Sequence, residues 1–315
     1  MTNEELLEVI DKLLRPLDDG HVLLAVDDDL CDGDDICNFE DYRGAERVIY
    51  ENIPLQTDYD DLEEYTNAIV TNYKAIRASY LDSGSMNSVD GAESGQFLWG
   101  TIGGVVGYLR VASMTGLSED EFDAESDLPA TKEIMTSILT DLKNTHAMIV
   151  DVRVNDGGED AVGLTIAGFF TDQKRLAVSK FARPASGPTE LVDAYIKPLN
   201  DTPYLNPVAV IGAPDTASAA EIFLMAMSLL PQTTLVGENS NGILSDILPK
   251  TLPNGWEVGL SNEVYLDANG VSHEVTGVPP AVTAPTFSLQ AIEEGRDAAI
   301  DSALETLGYA ELSRH

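Results

Sequence analysis

Residues 207–230 read PVAVIGAPDTASAAEIFLMAMSLL. PVAVIG is an uninterrupted apolar run, the pattern of a strand buried on both faces. APDTAS is a turn of small residues, and the apolar stretch after it is long enough for a helix. Strand, turn and helix in immediate succession place Ser218 at the start of the helix. Backbone N–H groups there lack intrahelical acceptors and can bind developing negative charge. Small neighbours leave room for a substrate to approach the hydroxyl. Capping of the helix by Ser218 or Thr216 remains the structural alternative for this segment.

Upstream, residues 148–160 read MIVDVRVNDGGED, a buried strand followed at once by Gly157 and Gly158. Glycines in such a place can take positive φ and present N–H groups in a concave nest, or simply turn the chain into a helix. From Gln96 onward apolar runs and helices alternate. GGVVGYLRVASM and HAMIVDVRV read as strands, Ala161 to Phe170 as a helix and TTLVGE as a short strand. ILPKTLPNGWEVGLSNEVYLD reads as a hairpin turning at Pro253-Asn254-Gly255, followed by another strand. Such alternation predicts an α/β fold with a largely parallel sheet.

Residues 1–95 form a different, mainly helical segment. MTNEELLEVIDKLLRPL has amphipathic helical spacing, and a second helix is predicted from Tyr59 to Tyr80, with Asp60 and Asp61 in its first turn. Between them lies DDDLCDGDDICNFED, residues 27–41. Its aspartates are the ligand type calcium prefers, but they are out of register with an EF-hand loop, and a solvated acidic loop is the favoured reading. Cys31 and Cys37 are close enough in sequence to pair or to remain free thiols. The division expected is therefore residues 1–95 and a core of residues 96–315.

The chain carries 54 acidic and 18 basic side chains, a formal net charge of -36. That surface repels nucleic acid and anionic lipid. No run of roughly 20 apolar residues exists to span a bilayer, and the start lacks the basic-then-apolar order of a signal peptide. No zinc-protease, P-loop or G-x-S-x-G signature is present. Neither a metal nor a cofactor is expected.

Taken in order, VGYLRVASM, MIVDVRVNDGG, TASAAEI, LVGENSNG, LPNGWEVGLS and HEVTGVPP resemble the tail-specific (C-terminal-processing) and tricorn-core serine proteases. The resemblance implies a crotonase/ClpP-like β-β-α spiral core, with Ser218 as nucleophile and Gly157, Gly158 and Ala219 as the oxyanion hole. Many tail-specific members place a lysine base shortly after the GE-x-T-x-G motif. Here GENSNGILSD puts Ile243 at that position, so the chain resembles the tricorn-type branch instead. LDDGHVLL then nominates His21 as base, and HEVTGV nominates Glu274 as the assisting carboxylate. Two further departures are Gly20, where tricorn has a serine, and Pro279-Pro280, where the family has proline–aspartate. The histidines are His21, His146, His273 and His315, with His273 the rival base.

The expected function is a serine endopeptidase acting on peptides or unfolded proteins through an acyl-enzyme, without cofactor, nucleic acid or membrane insertion. The alternatives are a non-catalytic module for peptides or hydrophobic ligands on the same scaffold, and a crotonase-like acyl-CoA enzyme. Export of many bacterial relatives implies a periplasmic or extracellular location.

Overall fold

The structure is a computed structural model describing residues 2–17, 19–26, 40–41, 62–89, 96–115, 117, 124–199 and 202–313. Cys31, Cys37, Asp60, Asp61 and most of the acidic stretch lie outside the described residues, as does His315.

The centre is a seven-stranded mixed sheet in the order β14-β10-β9-β6-β5-β4-β3. Five of its strands run parallel: β5 (Val106–Val111), β6 (Ala147–Asp151), β9 (Val208–Gly212), β10 (Thr233–Gly237) and β14 (Val282–Thr283). On the β5 side the sheet finishes antiparallel, through β4 (Phe97–Ile102) and β3 (Asn87–Val89). Gly103 and Gly104, at φ 58° and 71°, make the β4–β5 turn. That conformation matches the twist of the flanking strands and is open to glycine at little steric cost.

Successive strand residues point to opposite faces, so β6 and β9 are covered on both sides. Met148, Val150, Val208 and Val210 meet α3 (Ala124–Asp141), α4 (Asp160–Gly168) and α5 (Ala219–Ser228). Ala147, Ile149, Ala209 and Ile211 meet α2 (Leu62–Ser79) and α7 (Ala298–Thr306). The unbroken apolar runs in the sequence are the signature of this three-layer arrangement. A short helix, α6 (Leu289–Glu293), precedes α7.

Two smaller sheets flank the core. One holds β13 (Glu263–Asp267), β7 (Arg175–Ala182) and β8 (Val192–Ile196), of which β7 and β8 were not anticipated from sequence. The other runs β11 (Ile247–Thr251), β12 (Glu257–Ser261), β1 (Leu23–Ala25), β2 (Glu40–Asp41). The β11–β12 hairpin closes with Leu252 N–H donating to the Trp256 carbonyl at 2.7 Å, around the anticipated Pro253-Asn254-Gly255 turn. Trp256, Val258, Val22 and Leu24 form its small core with Leu14 of α1 (Asn3–Leu14). The early residues are thus built into sheets shared with the later ones, through β3 on β4 and β1 on β12. No helix among the described residues is long and apolar enough to cross a membrane.

Beneath the C-terminal end of β6 lies a buried ionic cluster. Arg153 donates to both Asp151 oxygens, at 3.0 and 2.7 Å, and to Asp297 at 2.8 Å. Asn72 of α2 also donates to Asp297, at 2.6 Å, and Tyr108 donates to Asp151, at 2.8 Å. Burial alone would raise the Asp151 carboxyl, but the Arg153 guanidinium outweighs it and holds the group below the usual carboxylate range. Three elements, β6, α2 and the N-terminus of α7, are tied by these charges. Removing one member strands the others without a partner, which is the costly way to break a buried pair. Arg153→Met is expected to destabilise the protein by about 3–5 kcal/mol, read from the urea unfolding midpoint. A loss under about 1 kcal/mol would show that the cluster does not tie these elements.

Candidate active site

Ser218 stands between β9 and α5 with φ 53° and ψ -124°. Such a backbone is sparsely populated for a residue with a Cβ and persists only where surroundings over-determine it. Here they do. Its N–H donates to the Ile243 carbonyl and to Glu221 Oε2, each at 3.1 Å. Ala217 N–H donates to the Asn155 carbonyl at 3.0 Å. Thr216 caps nothing: its Oγ1 donates to the Val152 carbonyl at 2.8 Å and accepts from Ala213 N–H at 3.0 Å, stapling the turn to the β6 end.

The glycine turn lies directly against this serine. Gly157 has φ 109°, and a Cβ there would sit 2.7 Å from the Ser218 Cβ and 3.0 Å from the Ala219 nitrogen. Glycine is therefore required both for its backbone and for the space it leaves beside Ser218. Gly157 N–H donates to Asn155 Oδ1 at 3.0 Å, and Asn155 Nδ2 donates to the Val111 carbonyl at 3.1 Å. Gly158, at φ 126°, is pressed on Met114, whose backbone a Cβ would meet at 2.6 Å. Among the described residues the N–H groups of Gly158 and Ala219 have no internal acceptor.

Glu221, fully buried, is the anchor of the site. Oε1 accepts from Ser240 Oγ at 2.5 Å and Gly242 N–H at 2.8 Å; Oε2 accepts from Ile243 N–H at 2.9 Å besides Ser218. Burial pushes its pKa up to about 7, against the pull of those donors. The TASAAEI motif places Glu221 three residues after Ser218 without itself marking it as part of the site. The S-x-x-E spacing of a capping box was the available signal.

Glu274 is brought to the same loop. Its Oε2 accepts from Leu244 N–H at 3.2 Å, next to the residue that holds Ser218. Val275 N–H donates to the Gly242 carbonyl at 2.7 Å, and Val278 N–H donates to Ser240 Oγ at 2.6 Å. Gly242 and Gly277, with φ 86° and 71°, allow this close approach.

His21 lies in the turn leading into β1, half-buried, with its N–H donating to Asp19 Oδ1 at 2.9 Å. β1 pairs with β12, and β11 of that sheet emerges from the loop after Asp246. His21 is thus one sheet removed from the Ser218 contacts and joined to them through β11. The rival His273 has its Nε2 3.4 Å from Asp267 Oδ2 in its own loop. His146 is exposed at the start of β6, the opposite end from the glycine turn. The early segment also reaches the turn before Ser218 directly, because the Tyr65 hydroxyl of α2 donates to Asp215 Oδ2 at 2.8 Å. Burial pushes the Asp215 carboxyl up to about 7.

Residues 105–284 match the model of peptidase family S41. The chain therefore belongs to peptidase family S41, and the activity class is that of a peptidase. A candidate peptidase from Parabacteroides merdae is similar in fold, at a TM-score of 0.70 and 24% identity over 98% of this chain and 84% of that one. Mature CPAF in complex with lactacystin is similar at a TM-score of 0.50 and 15% identity, over 74% of this chain and 54% of that one. A point mutant of CPAF gives a TM-score of 0.52 and 15% identity, over 73% of this chain and 53% of that one. These likenesses bear on the fold, and with it on the mixed α/β architecture expected from the sequence.

Glu221→Gln keeps the shape but turns an amide N–H₂ toward backbone donors. It is expected to cost about 1–3 kcal/mol of stability and to disorder the Ser218 turn, read by urea unfolding and by faster amide exchange at Ile243. Unchanged stability together with unchanged exchange would remove Glu221 from the role of anchor.

Proposed function

We propose that this S41 peptidase is a serine endopeptidase that works through an acyl-enzyme on Ser218. The observation that carries the reading is the strained positive-φ serine at the N-terminus of α5, with Gly157 packed against its Cβ. The hydroxyl attacks the peptide carbonyl. The oxyanion is met by the N–H groups of Ala219 and Gly158, both left without internal acceptors among the described residues, while that of Gly157 is already held by Asn155. Each such donor contributes about 2.7–4 kcal/mol to the transition state in other hydrolases.

His21 takes the serine proton and returns it to the leaving amine, a role open to an imidazole around neutral pH. Glu274 orients the system and stabilises the imidazolium, directly or through water. Support for these two roles is the placement of Glu274 on Leu244 and of His21 on the sheet that continues from the same loop. Ile243 offers only backbone contacts, which is consistent with a base arriving from elsewhere, as in the tricorn-type branch. Substrates are peptides or unfolded proteins, in the periplasm or outside the cell, and no cofactor takes part.

A fluorophosphonate probe tests this on wild type, Ser218→Ala and His21→Ala, with mass spectrometry of the modified peptide. Labelling is expected on Ser218, absent in Ser218→Ala and slowed about a hundredfold or more in His21→Ala. Labelling unaffected by His21→Ala removes the histidine from the mechanism. A wild type that is never labelled favours a non-catalytic binding module on the same scaffold.

A further inference from the structure

A second polar cluster borders the site and is not used by the chemistry above. Its hub is the hydroxyl of Tyr265 on β13, a residue only 1% exposed. That oxygen lies 2.7 Å from Asp160 Oδ2 and 3.0 Å from Asp246 Oδ1, and it accepts from Lys180 Nζ at 2.8 Å. Lys180 stands directly across from Tyr265 in the β7–β13 pairing and also binds Asp246, at 2.5 Å, and Glu263, at 2.7 Å. Asp160 is the first residue of α4, two positions after Gly158. Asp246 follows the loop in which Ile243 holds the Ser218 N–H and Leu244 holds Glu274. Ser245 Oγ adds to the junction by accepting from the N–H groups of Asn262 and Glu263, each at 3.0 Å.

Proton counting constrains this hub. A phenol has one hydrogen and two lone pairs. Lys180 fills one lone pair, and the hydroxyl hydrogen satisfies one carboxylate. The remaining contact becomes a hydrogen bond only when the other carboxyl carries a proton and donates it to the second lone pair. We propose that Tyr265 is a positioning residue for the nucleophile site, clamping the Gly157-Gly158 turn to the Ile243–Asp246 loop through the contacts of its hydroxyl with Asp160 and Asp246. This rests on the Ser218 reading above.

Asp160 is the carboxyl suited to hold that proton. Burial raises its pKa to about 6, with Asp246 and Glu159 adding to the rise while Tyr265 and Lys180 oppose it. Asp246 is itself raised by burial but pulled below the usual range by Lys180. Glu263, the other facing carboxyl, competes for Lys180 and leaves the hub without a surplus cation. The sign follows directly. The clamp is complete below about pH 6 and loses its third contact as pH rises through that value, leaving two carboxylates and one hydrogen. The glycine turn is then held less tightly relative to Ser218.

The test is the rate of fluorophosphonate labelling at Ser218 from acid to alkaline pH for wild type, Tyr265→Phe and Asp160→Asn, with folding checked by urea unfolding. In wild type the labelling rate should show a partial cut-back as pH rises through about 6. Tyr265→Phe should label about tenfold to a hundredfold more slowly, the scale of a small misplacement of reacting groups, and should lose that alkaline cut-back. Asparagine donates where protonated Asp160 would, so Asp160→Asn should keep the acid-side rate within about twofold and also lose the cut-back. Asp160→Asn alone decides the matter if Tyr265→Phe does not fold. Rates and pH profiles that superimpose on a labelled wild type overturn the clamp while leaving Ser218 as nucleophile. A wild type that is not labelled at Ser218 overturns both.

Discussion

A single buried carboxylate organises the site. Glu221 has no access to water, yet it accepts from Ser218 N–H, Gly242 N–H, Ile243 N–H and Ser240 Oγ. Taking a carboxylate out of water is expensive, and the cost is offset only when its lone pairs are met with good geometry. The donors come from two separate segments, the nucleophile turn and the loop after β10. Satisfying the charge therefore fixes each segment against the other. The backbone of Ser218, unfavourable for a residue with a Cβ, is held by the same contacts. Everything beyond that loop follows from it: Leu244 carries Glu274, Val275 and Val278 lock onto Gly242 and Ser240, and Asp246 enters the Tyr265 hub.

The opposing wall comes from the carboxyl end of β6, as expected of a parallel sheet whose ligand sites gather at the strand ends. Within a few residues Asp151 and Arg153 turn downward into the ionic cluster, while Asn155 turns across to the glycine turn and the nucleophile turn. Asn155 touches both sides at once, through its side chain to Gly157 and its carbonyl to Ala217. The motif DVRVNDGG is thus a structural sentence in which each residue has a separate load. Its charged members anchor the strand end, its amide sets the gap, and its first glycine leaves the gap open.

Much of this was legible because it depends on local pattern. Strands β6 and β9 are short runs dominated by apolar residues, β5 follows a pair of glycines and β10 ends on one, and the helices after Gly158 and Ser218 start at turns of small residues. The Pro253-Asn254-Gly255 hairpin announces itself by its turn residues. Strands β7 and β8 escaped notice because RLAVSKFA and VDAYI mix charge and apolar residues without clear alternation, and their partner β13 lies far away in sequence. The same holds for the site. Ser218, the glycines and Glu274 stand inside motifs, whereas the duties of Glu221, Asn155 and Tyr265 consist of long-range hydrogen bonds that no local period encodes. Glu221 came nearest to being readable, since its spacing from Ser218 is that of a cap.

The position of Ile243 bears on the proposed arrival of the base from another part of the chain. Both of its backbone groups are committed, the N–H to Glu221 and the carbonyl to Ser218. Its side chain takes no part in these bonds to the anchor and to Ser218. On the proposed mechanism, with isoleucine there, proton transfer is supplied by a segment held near this loop by other means. The early chain is held close to it by Tyr65 on Asp215, in the turn before Ser218, and by β1 on β12 in the sheet that grows out of the loop. On the proposed assignment of His21, the first part of the chain is then not an accessory to the core but one wall of its active site.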